Sequence, residues 1–456
     1  MNFVSIILTL IIVIIVATLI LKRYKPHAVL LIAGITLLIA AQFLGINTIV
    51  EIEKSTGFWL FDVFDLIRTT LTKDAGSLGM VIMAAGGYAV YMNHVGASTA
   101  MVNLCIKPLR HLGSPYIVLA ISYVVGQIIN IFVPSAAGLS VLLMATVYPI
   151  LVSLGVSPIS ATAVIASAAC LDLGPASGAS NFAAEMSGID ATTYFMQYQI
   201  PVALVVVPVV ALSHYFVQKA YDKRIGFVPE PQKLDNNEKK ENVPSIYAIL
   251  PIFPLILLLL FNDLVISSIK VNVVSAMIMG LFLTMIFECI RNRKNISNIF
   301  KSMQVFFDGM GKQFATIVTL IMAGEIFAEG LKHMGVIDMI IEGCKSIGFG
   351  AIPMTIIMVA IIIISSIVMG SGAAPFYAFI ALAPSVAEAF GIQPVVMIMA
   401  MQLATGLGRN MSPIASCVVA ACGGSGVSPV DVAKRTIIPM LLGTAALILA
   451  DVIFFI

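Results

Sequence analysis

The stretch GSGAAPFYAF, residues 370–379, interrupts an apolar region that runs from residue 352 to residue 389. Glycine has a low helix propensity and proline lacks the amide hydrogen that an interior turn needs, so the stretch predicts a sharp turn between two helices. The stretch VPSAAG, residues 133–138, divides the apolar segments 116–133 and 139–154 in the same way. Each interruption predicts a re-entrant hairpin, a helix pair that enters and leaves a membrane on one side.

The composition is that of a membrane protein. Of the 456 residues, 60% are hydrophobic and 11% are charged, with a mean hydropathy of +1.05. Soluble globular proteins carry about 25% charged residues, which excludes a soluble enzyme, a disordered chain and a secreted disulfide scaffold. The net charge is +2 and no basic block is present, so no nucleic-acid partner is expected.

The distribution of lysine and arginine predicts the orientation of the chain. Cytoplasmic loops are enriched in these residues, which places the polar stretch 218–244 and the basic stretch 291–312 inside. The acidic stretch 51–74 then lies outside. With about 20 residues for each crossing, the pattern predicts ten spans and two opposed hairpins, with both termini outside.

The two halves of the sequence repeat each other. His94-Val95-Gly96 matches His333-Met334-Gly335, 239 positions later (333 − 94), and the hairpin serines 135 and 371 are 236 positions apart (371 − 135). The sequence therefore predicts an all-α polytopic membrane protein with two inverted-topology repeats. Each repeat has three spans, a re-entrant hairpin and two spans, one of which is a broken helix. The repeats are residues 1–217 and 245–456, joined by a cytoplasmic linker at 218–244.

A broken helix is predicted after each hairpin, at residues 172–181 and 406–413. Both stretches combine glycine, proline and polar residues at membrane depth. In the second stretch, Ser412-Pro413 has the pattern of a helix N-cap followed by proline at the first helical position, which predicts that a helix restarts there. Inverted repeats with interrupted helices are typical of secondary transporters, which bind substrate near the midplane.

The residues at the hairpin tips and breaks predict a site for a small anion, more specifically a carboxylate. Helix N-termini attract anions, hydroxyls and amides donate hydrogen bonds, and the Arg409 guanidinium suits a carboxylate. The alternative for Arg409 is a structural ion pair with Asp172. The predicted substrate-binding residues are Ser135, Gly138, Ser177, Ser180, Asn181, Ser371, Gly372, Arg409, Asn410 and Ser412.

Carboxylates inside the membrane are candidates for proton coupling, because a buried charge is costly and is kept for function. Asp172 and Glu325 are the predicted coupling residues, and Glu185 and Glu329 are further candidates. No metal site and no cofactor is predicted, and sodium as the coupling ion stays an open alternative.

Three motifs together resemble the DcuC family of anaerobic C4-dicarboxylate transporters: residues 370–379, residues 407–413 and residues 138–146. The resemblance covers nearly the whole chain. It implies fumarate, succinate, malate or aspartate as substrate, exchange or proton-coupled transport, and a bacterial inner membrane. The sequence is also similar to a wider superfamily of ion transporters, which implies a homodimer in contact with lipid and an elevator-like mechanism.

Three other functions remain open at this point. A channel needs a continuous polar pore, whereas the polar residues here are concentrated at two symmetric places. An intramembrane enzyme needs a catalytic signature, and none is found, so no enzymatic activity is predicted. The third alternative is the same transport mechanism with another small organic anion, such as a tricarboxylate.

Overall fold

The computed structural model describes residues 3–22, 24–45, 55–111, 114–228, 243–261, 265–266, 268–293, 296–335, 341–343, 346 and 348–456. Within these ranges the chain forms helices and no strand. The helices of the first half are α1 Phe3–Leu21, α2 Pro26–Phe43, α3 Trp59–Gly76, α4 Leu78–His94, α5 Ala97–Ile106, α6 Pro115–Phe132, α7 Ala136–Thr146, α8 Tyr148–Ser153, α9 Pro158–Ser167, α10 Gly178–Met186 and α11 Ala191–Arg224.

The helices of the second half follow the same order. They are α12 Phe253–Leu260, α13 Val273–Arg291, α14 Ile296–His333, α15 Ala351–Met369, α16 Ala373–Ala389, α17 Pro394–Arg409, α18 Ser416–Ser425 and α19 Pro429–Phe455. Equivalent turns also share backbone geometry: Gly96 and Gly335 both have a left-handed φ, 77° and 73°, as do Gly155 and Gly391 at 89° and 76°. These paired turns agree with the predicted positions, and the internal repeat and the opposite insertion of its halves stay predictions.

Local sequence explains where several helices begin. Proline occupies the first helical position of α6, α9, α17 and α19, where its missing N–H has no intrahelical partner to lose. Serine side chains cap three helices that follow predicted turns: the hydroxyls of Ser135, Ser157 and Ser177 accept from the N–H groups of Gly138, Ser160 and Ser180. These caps fix the start of α7, α9 and α10.

Helix α3 and the N-terminal part of α14 are among the helices that were not expected from the sequence. Helix α3 is amphipathic and carries charged residues, and it meets α4 at an angle of 45°. Its counterpart in the second half is the N-terminal part of α14, which continues through a π-helical turn at Phe314–Val318 into the predicted span. Hydropathy alone misses such helices because only one of their faces is apolar.

Seven described helices are long and apolar enough to cross a membrane, and an eighth candidate is the bent pair α3 and α4. The protein is therefore an all-α polytopic membrane protein. The predicted count of ten spans and two hairpins includes shorter, interrupted helices such as α9, α10 and α12, and it stays a prediction. Helix α11 continues past residue 217 to Arg224, while residues 229–242 of the predicted linker lie outside the described ranges.

The helices pack in two groups. The flanking group consists of α1–α5 and α12–α14, in which α14 packs against α2 and α4. The core group consists of α6–α11 and α15–α19, in which α11 packs along α19 and α17 packs against α10 and α15. Contacts between the groups include α4 with α10 and α14 with α16. The predicted hairpin and break residues all belong to the core group.

Candidate functional site

The first break is the non-helical segment 168–177 between α9 and α10, and α17 packs directly against it. Gly406 of α17 approaches the backbone of Cys170 so closely that a Cβ at position 406 would overlap the Cys170 carbonyl. Gly174, in the middle of the break, has a φ of 86°, which a residue with a side chain rarely adopts. The glycines that the sequence analysis associated with helix breaking therefore also allow the two halves to touch.

Three side chains hold the carbonyl oxygen of Asp172 in the first break. The Ser180 hydroxyl donates to it at 2.8 Å, the Gln402 amide at 2.7 Å and the Gln199 amide at 3.3 Å. Gln199 also donates to Gln402 Oε1 at 2.7 Å and accepts from the Gly174 N–H at 2.9 Å. Ser180, predicted to bind substrate, has its hydroxyl hydrogen engaged in this network.

A second pair of amides holds Leu171, and the sequence analysis missed it together with Gln199 and Gln402. Gln127 donates to the Leu171 carbonyl at 2.6 Å and accepts from its N–H at 3.2 Å, while Asn130 donates to the same carbonyl at 3.0 Å. An unwound segment at membrane depth needs such partners, because no water replaces the lost helical hydrogen bonds. Isolated amide residues within apolar spans are the sequence signal that could have identified them.

Ser177 and Asn181 stabilise the start of α10. The Ser177 hydroxyl caps the helix by accepting from the Ser180 N–H, and both amide hydrogens of Asn181 are donated, to the carbonyls of Pro175 at 2.8 Å and Ser177 at 2.7 Å. Asn181 also lines a cavity of about 940 Å³ together with Glu185. The end of the first break is therefore stabilised by neighbouring side chains, and the cavity lies beside α10, the helix that follows the break.

Arg409 lies at the C-terminal end of α17 and reaches the first break. Its Nη2 donates to the Ala169 carbonyl at 2.7 Å, and its Nη1 lies 3.6 Å from Asp172 Oδ2. Its Nε is buried and has no hydrogen-bond partner among the described residues. The ion pair with Asp172 that the sequence left as an alternative is thus present, and Arg409 also interacts with the buried thiol of Cys417.

The second break is the segment 410–415, and here one expectation was wrong. The helix does not restart at Ser412-Pro413: α18 begins at Ser416 with Ala415 as its N-cap. The Ser412 N–H donates to the Arg409 carbonyl at 3.0 Å and the Ala415 N–H donates to the Ser412 carbonyl at 3.3 Å, so two tight turns precede the helix. Pro413 lies inside these turns.

Two predicted substrate ligands in the second break have unpartnered buried groups. Asn410 and Ser412 are fully buried, and neither Asn410 Nδ2 nor Ser412 Oγ has a hydrogen-bond partner among the described residues. The rest of Asn410 is fixed, because its Oδ1 accepts from the Cys417 thiol and its carbonyl accepts from the Thr436 hydroxyl at 2.6 Å. With Arg409 Nε, this gives three buried donor groups within four residues.

The second hairpin packs against both α17 and the start of α10. At the first hairpin tip, the Ser135 hydroxyl bonds within its own turn. A Cβ on Gly372 would lie 2.6 Å from the carbonyl of Thr405 in α17, and Ser371 beside it is half-buried. The hydroxyl of Tyr377, in α16, lies 3.7 Å from the position a Cβ on Gly178 would occupy, at the start of α10. Ser135 is exposed, and its hydroxyl accepts from the Gly138 N–H at 3.2 Å.

The two predicted coupling carboxylates lie in different helix groups. Asp172 is in the first break of the core group, paired with Arg409. Glu325 is on α14 of the flanking group, where it interacts electrostatically with Asp74, Glu185 and Glu329. No group of three His, Cys, Asp or Glu residues in the described ranges is arranged to hold a metal ion.

Comparisons with known proteins agree with this architecture. The chain matches the family model for DcuC, the C4-dicarboxylate anaerobic carrier, over residues 4–455. It is 36% identical over 434 residues to a probable anaerobic C4-dicarboxylate transporter DcuC of Vibrio cholerae, covering 95% of this chain and 94% of that protein. It is 33% identical over 450 residues to the anaerobic C4-dicarboxylate transporter DcuC of Escherichia coli strain K12, covering 99% and 96%.

A solved structure has the same fold. The YdaH transporter of Alcanivorax borkumensis, whose crystal structure was described as having an unusual topology, aligns with a TM-score of 0.58 at 17% identity. The alignment covers 94% of this chain and 98% of that one. Together with the family match along nearly the whole sequence, these comparisons establish that the chain belongs to the DcuC family of C4-dicarboxylate carriers, which are membrane transporters and not enzymes.

Proposed function

We propose that the protein is a secondary active transporter that carries C4-dicarboxylates such as fumarate, succinate, malate or aspartate across the bacterial inner membrane. The observation that carries the proposal is the set of unpartnered buried donors, Arg409 Nε, Asn410 Nδ2 and Ser412 Oγ. Buried polar groups are nearly always hydrogen-bonded, so three unpartnered donors within the four residues 409–412 support a ligand at the end of α17 and the start of the second break. A carboxylate accepts from all three, and family membership supports the same substrate class.

The second carboxylate of the substrate binds at the first break, at the start of α10. The first N–H groups of that helix, those of Gly178 and Ala179, precede its hydrogen-bonding pattern and face an anion favourably. The Tyr377 hydroxyl beside Gly178 adds a donor from the second hairpin. Ser177, Ser180 and Asn181 act by holding this backbone in place. Ser135 and Gly138 form a helix cap at the first tip, whose role is to position α7.

The charge of the site supports exchange or proton coupling. The positive charge of Arg409 is already offset by Asp172, so a bound dianion brings two negative charges that the pair does not neutralise. Uncompensated charge in a low-dielectric interior is costly. In exchange, a dicarboxylate returns in the opposite direction, so no net negative charge is moved. In net transport, accompanying protons neutralise the dianion. Asp172 and Glu325 remain proposed coupling residues.

The division into two helix groups supports an elevator-like mechanism, in which the core group moves against the flanking group within a homodimer surrounded by lipid. The predicted substrate residues belong to the core group, and the flanking group contacts it through a limited set of helices, including α4 with α10 and α14 with α16. In such a mechanism the whole substrate site moves together with the core group. The hydrogen bonds that join α10, α11 and α17 around the Asp172 carbonyl agree with such a rigid movement.

The hairpins are tested by labelling single cysteines. We expect cysteines at Ser114 and Ser153, on either side of the first hairpin, to react with an impermeant reagent from the cytoplasmic side. Cysteines at Gly350 and Gln393, around the second hairpin, should react from the outside. All four positions lie outside the helices or at their ends. The measurement is labelling of cells and of inverted vesicles in a background without the six native cysteines.

Opposite-side labelling within either pair would contradict the hairpin and the predicted orientation of the termini. A cysteine at Ser55, in the acidic stretch predicted to lie outside and far from both hairpins in the sequence, reports whether the reagent reaches the outer side at all.

The transport proposal is tested by counterflow in proteoliposomes containing the purified protein. We expect saturable counterflow of labelled succinate that unlabelled C4-dicarboxylates suppress and that tricarboxylates or monocarboxylates suppress weakly. Ser412→Ala removes one substrate hydrogen bond and should raise the half-saturation concentration by about 3- to 10-fold, the equivalent of about 0.5–1.5 kcal/mol. Ser425→Ala, on α18, should leave it unchanged because that hydroxyl bonds to its own helix.

Two results would argue against this function. Flux that fails to saturate and shows no counterflow would identify a channel. Stronger competition by a tricarboxylate than by any C4-dicarboxylate would identify the alternative organic-anion transporter.

A further inference from the structure

Asp451 is a carboxylate buried inside the protein, in the long helix α19, that no sequence motif indicated. Its side chain has no exposed surface, and both carboxylate oxygens lack a hydrogen-bond partner among the described residues. The helix around it is strongly apolar. Burying an ionised carboxylate without a cation or a donor is very unfavourable, whereas the neutral acid is tolerated. The described environment therefore fits a carboxylic acid that carries its proton.

The packing of α19 along α11 shows what lies opposite Asp451. Arg435 meets Asp222, a Cβ on Gly443 would touch Val210, and the Phe455 ring lies 5.1 Å from the ring of Tyr198. The two helices are thus antiparallel. Asp451, between positions 443 and 455, faces the part of α11 that contains the π-helical turn Tyr194–Gln199. π-Helical turns within α-helices occur frequently at functional sites.

Tyr194 lies within electrostatic range of Asp451 and is hydrogen-bonded toward the first break. Tyr194, which is fully buried, interacts electrostatically with Asp451. The Tyr194 hydroxyl donates to Gln402 Oε1 at 3.3 Å, and Gln402 donates to the Asp172 carbonyl at 2.7 Å. A change in the charge of Asp451 therefore acts on the groups that shape the substrate site.

The other ionisable groups on the helices packed against α19 lie away from Asp451 or have partners of their own. On α11, His214 lies closer to the Arg435 end, where it hydrogen-bonds to Ser167 at 2.9 Å. Arg409 of α17 is paired with Asp172. Helix α9 carries no ionisable residue, α18 contributes cysteines, and the π-helical turn contributes the tyrosines already described.

We propose that Asp451 is a further proton-binding site, which the coupling of dicarboxylate transport to proton movement requires in addition to the proposed coupling residues Asp172 and Glu325. The acid takes a proton from water on one side of the membrane, holds it in the state described here, and releases it to water on the other side when the core group has moved. Only the O–H bond forms and breaks, and the proton travels in the same cycle as the substrate. This inference rests on the proposed function and adds to its coupling residues a carboxylate that lies outside the substrate site.

The test uses Asp451→Asn, which has nearly the same shape as the protonated acid and cannot release a proton. The full chain is reconstituted in proteoliposomes with a trapped pH-sensitive dye. We expect the variant to keep succinate counterflow and to lose the proton flux that a succinate gradient drives in the wild type. The matched control is Asp431→Asn on the same helix, whose side chain is 51% exposed and pairs with Lys434. It should keep both activities.

The outcomes separate this inference from the proposed function. If the wild type shows no dicarboxylate counterflow, the proposed function fails whatever the variant does. If the wild type shows counterflow with proton flux and Asp451→Asn keeps that flux, Asp451 is not the proton site. If Asp451→Asn does not reach the membrane, Asp451→Glu decides: a shifted pH dependence of net succinate uptake supports the site, and an unchanged one overturns it.

Discussion

Replacing Arg409 with alanine is expected to abolish dicarboxylate counterflow. The change removes the donor Nε from the proposed substrate site and the hydrogen bond to Ala169, and it leaves Asp172 without its cation. Truncating one partner of a buried charge pair at a binding site costs about 2–5 kcal/mol, which corresponds to roughly a 30- to 5000-fold loss of affinity. Arg409→Lys should be nearly as damaging, because an ammonium ion lacks the planar fork that serves three partners. Succinate binding and counterflow are the measurements.

The control is Arg68→Ala, since Arg68 pairs with Asp65 on the surface of α3 and its side chain is 66% exposed. A second variant separates the two roles of Arg409. If the loss arises only because Asp172 is unpaired, adding Asp172→Asn to Arg409→Ala should restore transport. Normal succinate affinity in Arg409→Ala alone would make Arg409 a structural partner and move the substrate site toward the hairpin tip.

The second large effect is expected at the junction of α11 and α19, where Arg435→Ala should prevent stable folding. Arg435 Nη1 lies 2.6 Å from Asp222 Oδ1, and the two side chains are 4% and 2% exposed. Without the arginine, Asp222 becomes a buried charge lacking a counterion, which costs about 3–5 kcal/mol, a large part of the stability of a typical protein. The expected result is a much lower thermal midpoint of the purified protein and less protein in the membrane.

The neighbouring residue supplies a matched control. Lys434 pairs with Asp431 at 3.0 Å, but both side chains are more than half exposed, so Lys434→Ala should change the thermal midpoint little. Combining Arg435→Leu with Asp222→Asn removes both charges and should recover part of the stability. A midpoint for Arg435→Ala equal to that of Lys434→Ala would mean that the buried pair is not needed for folding.

Much of the architecture could be predicted from local patterns. The apolar segments, the hairpin interruption at residues 370–375 and the paired glycines at 96 and 335 depend on composition over short stretches. Helix α3 was not predicted because its charged residues lower the mean hydropathy of the stretch. The predicted helix start at Ser412-Pro413 was wrong because two turns form backbone hydrogen bonds there before the helix begins at Ser416.

The interactions between distant residues could not be predicted. The Asp172 carbonyl is held by Gln402, 230 positions away, and Asp222 is neutralised by Arg435, 213 positions away. A single sequence contains no signal that pairs such residues, so the bond from Ser180 to the Asp172 carbonyl, in the same network as Gln402, could not be predicted. Asp451 was overlooked for the same reason, since its burial depends on packing between helices α11 and α19.

The distance along the chain between Asp222 and Arg435 also bears on how the protein is made. The ribosome synthesises Asp222, near the end of α11, well before its counterion, so this carboxylate is still unneutralised when α11 is complete. Hydroxyls from that same repeat are already available: Tyr116 donates to Asp222 at 3.0 Å, Ser157 at 2.7 Å and Ser160 at 2.9 Å. These hydroxyls donate hydrogen bonds to the Asp222 carboxylate during biogenesis. When α19 is inserted, the ion pair between Arg435 and Asp222 fixes α19 to α11.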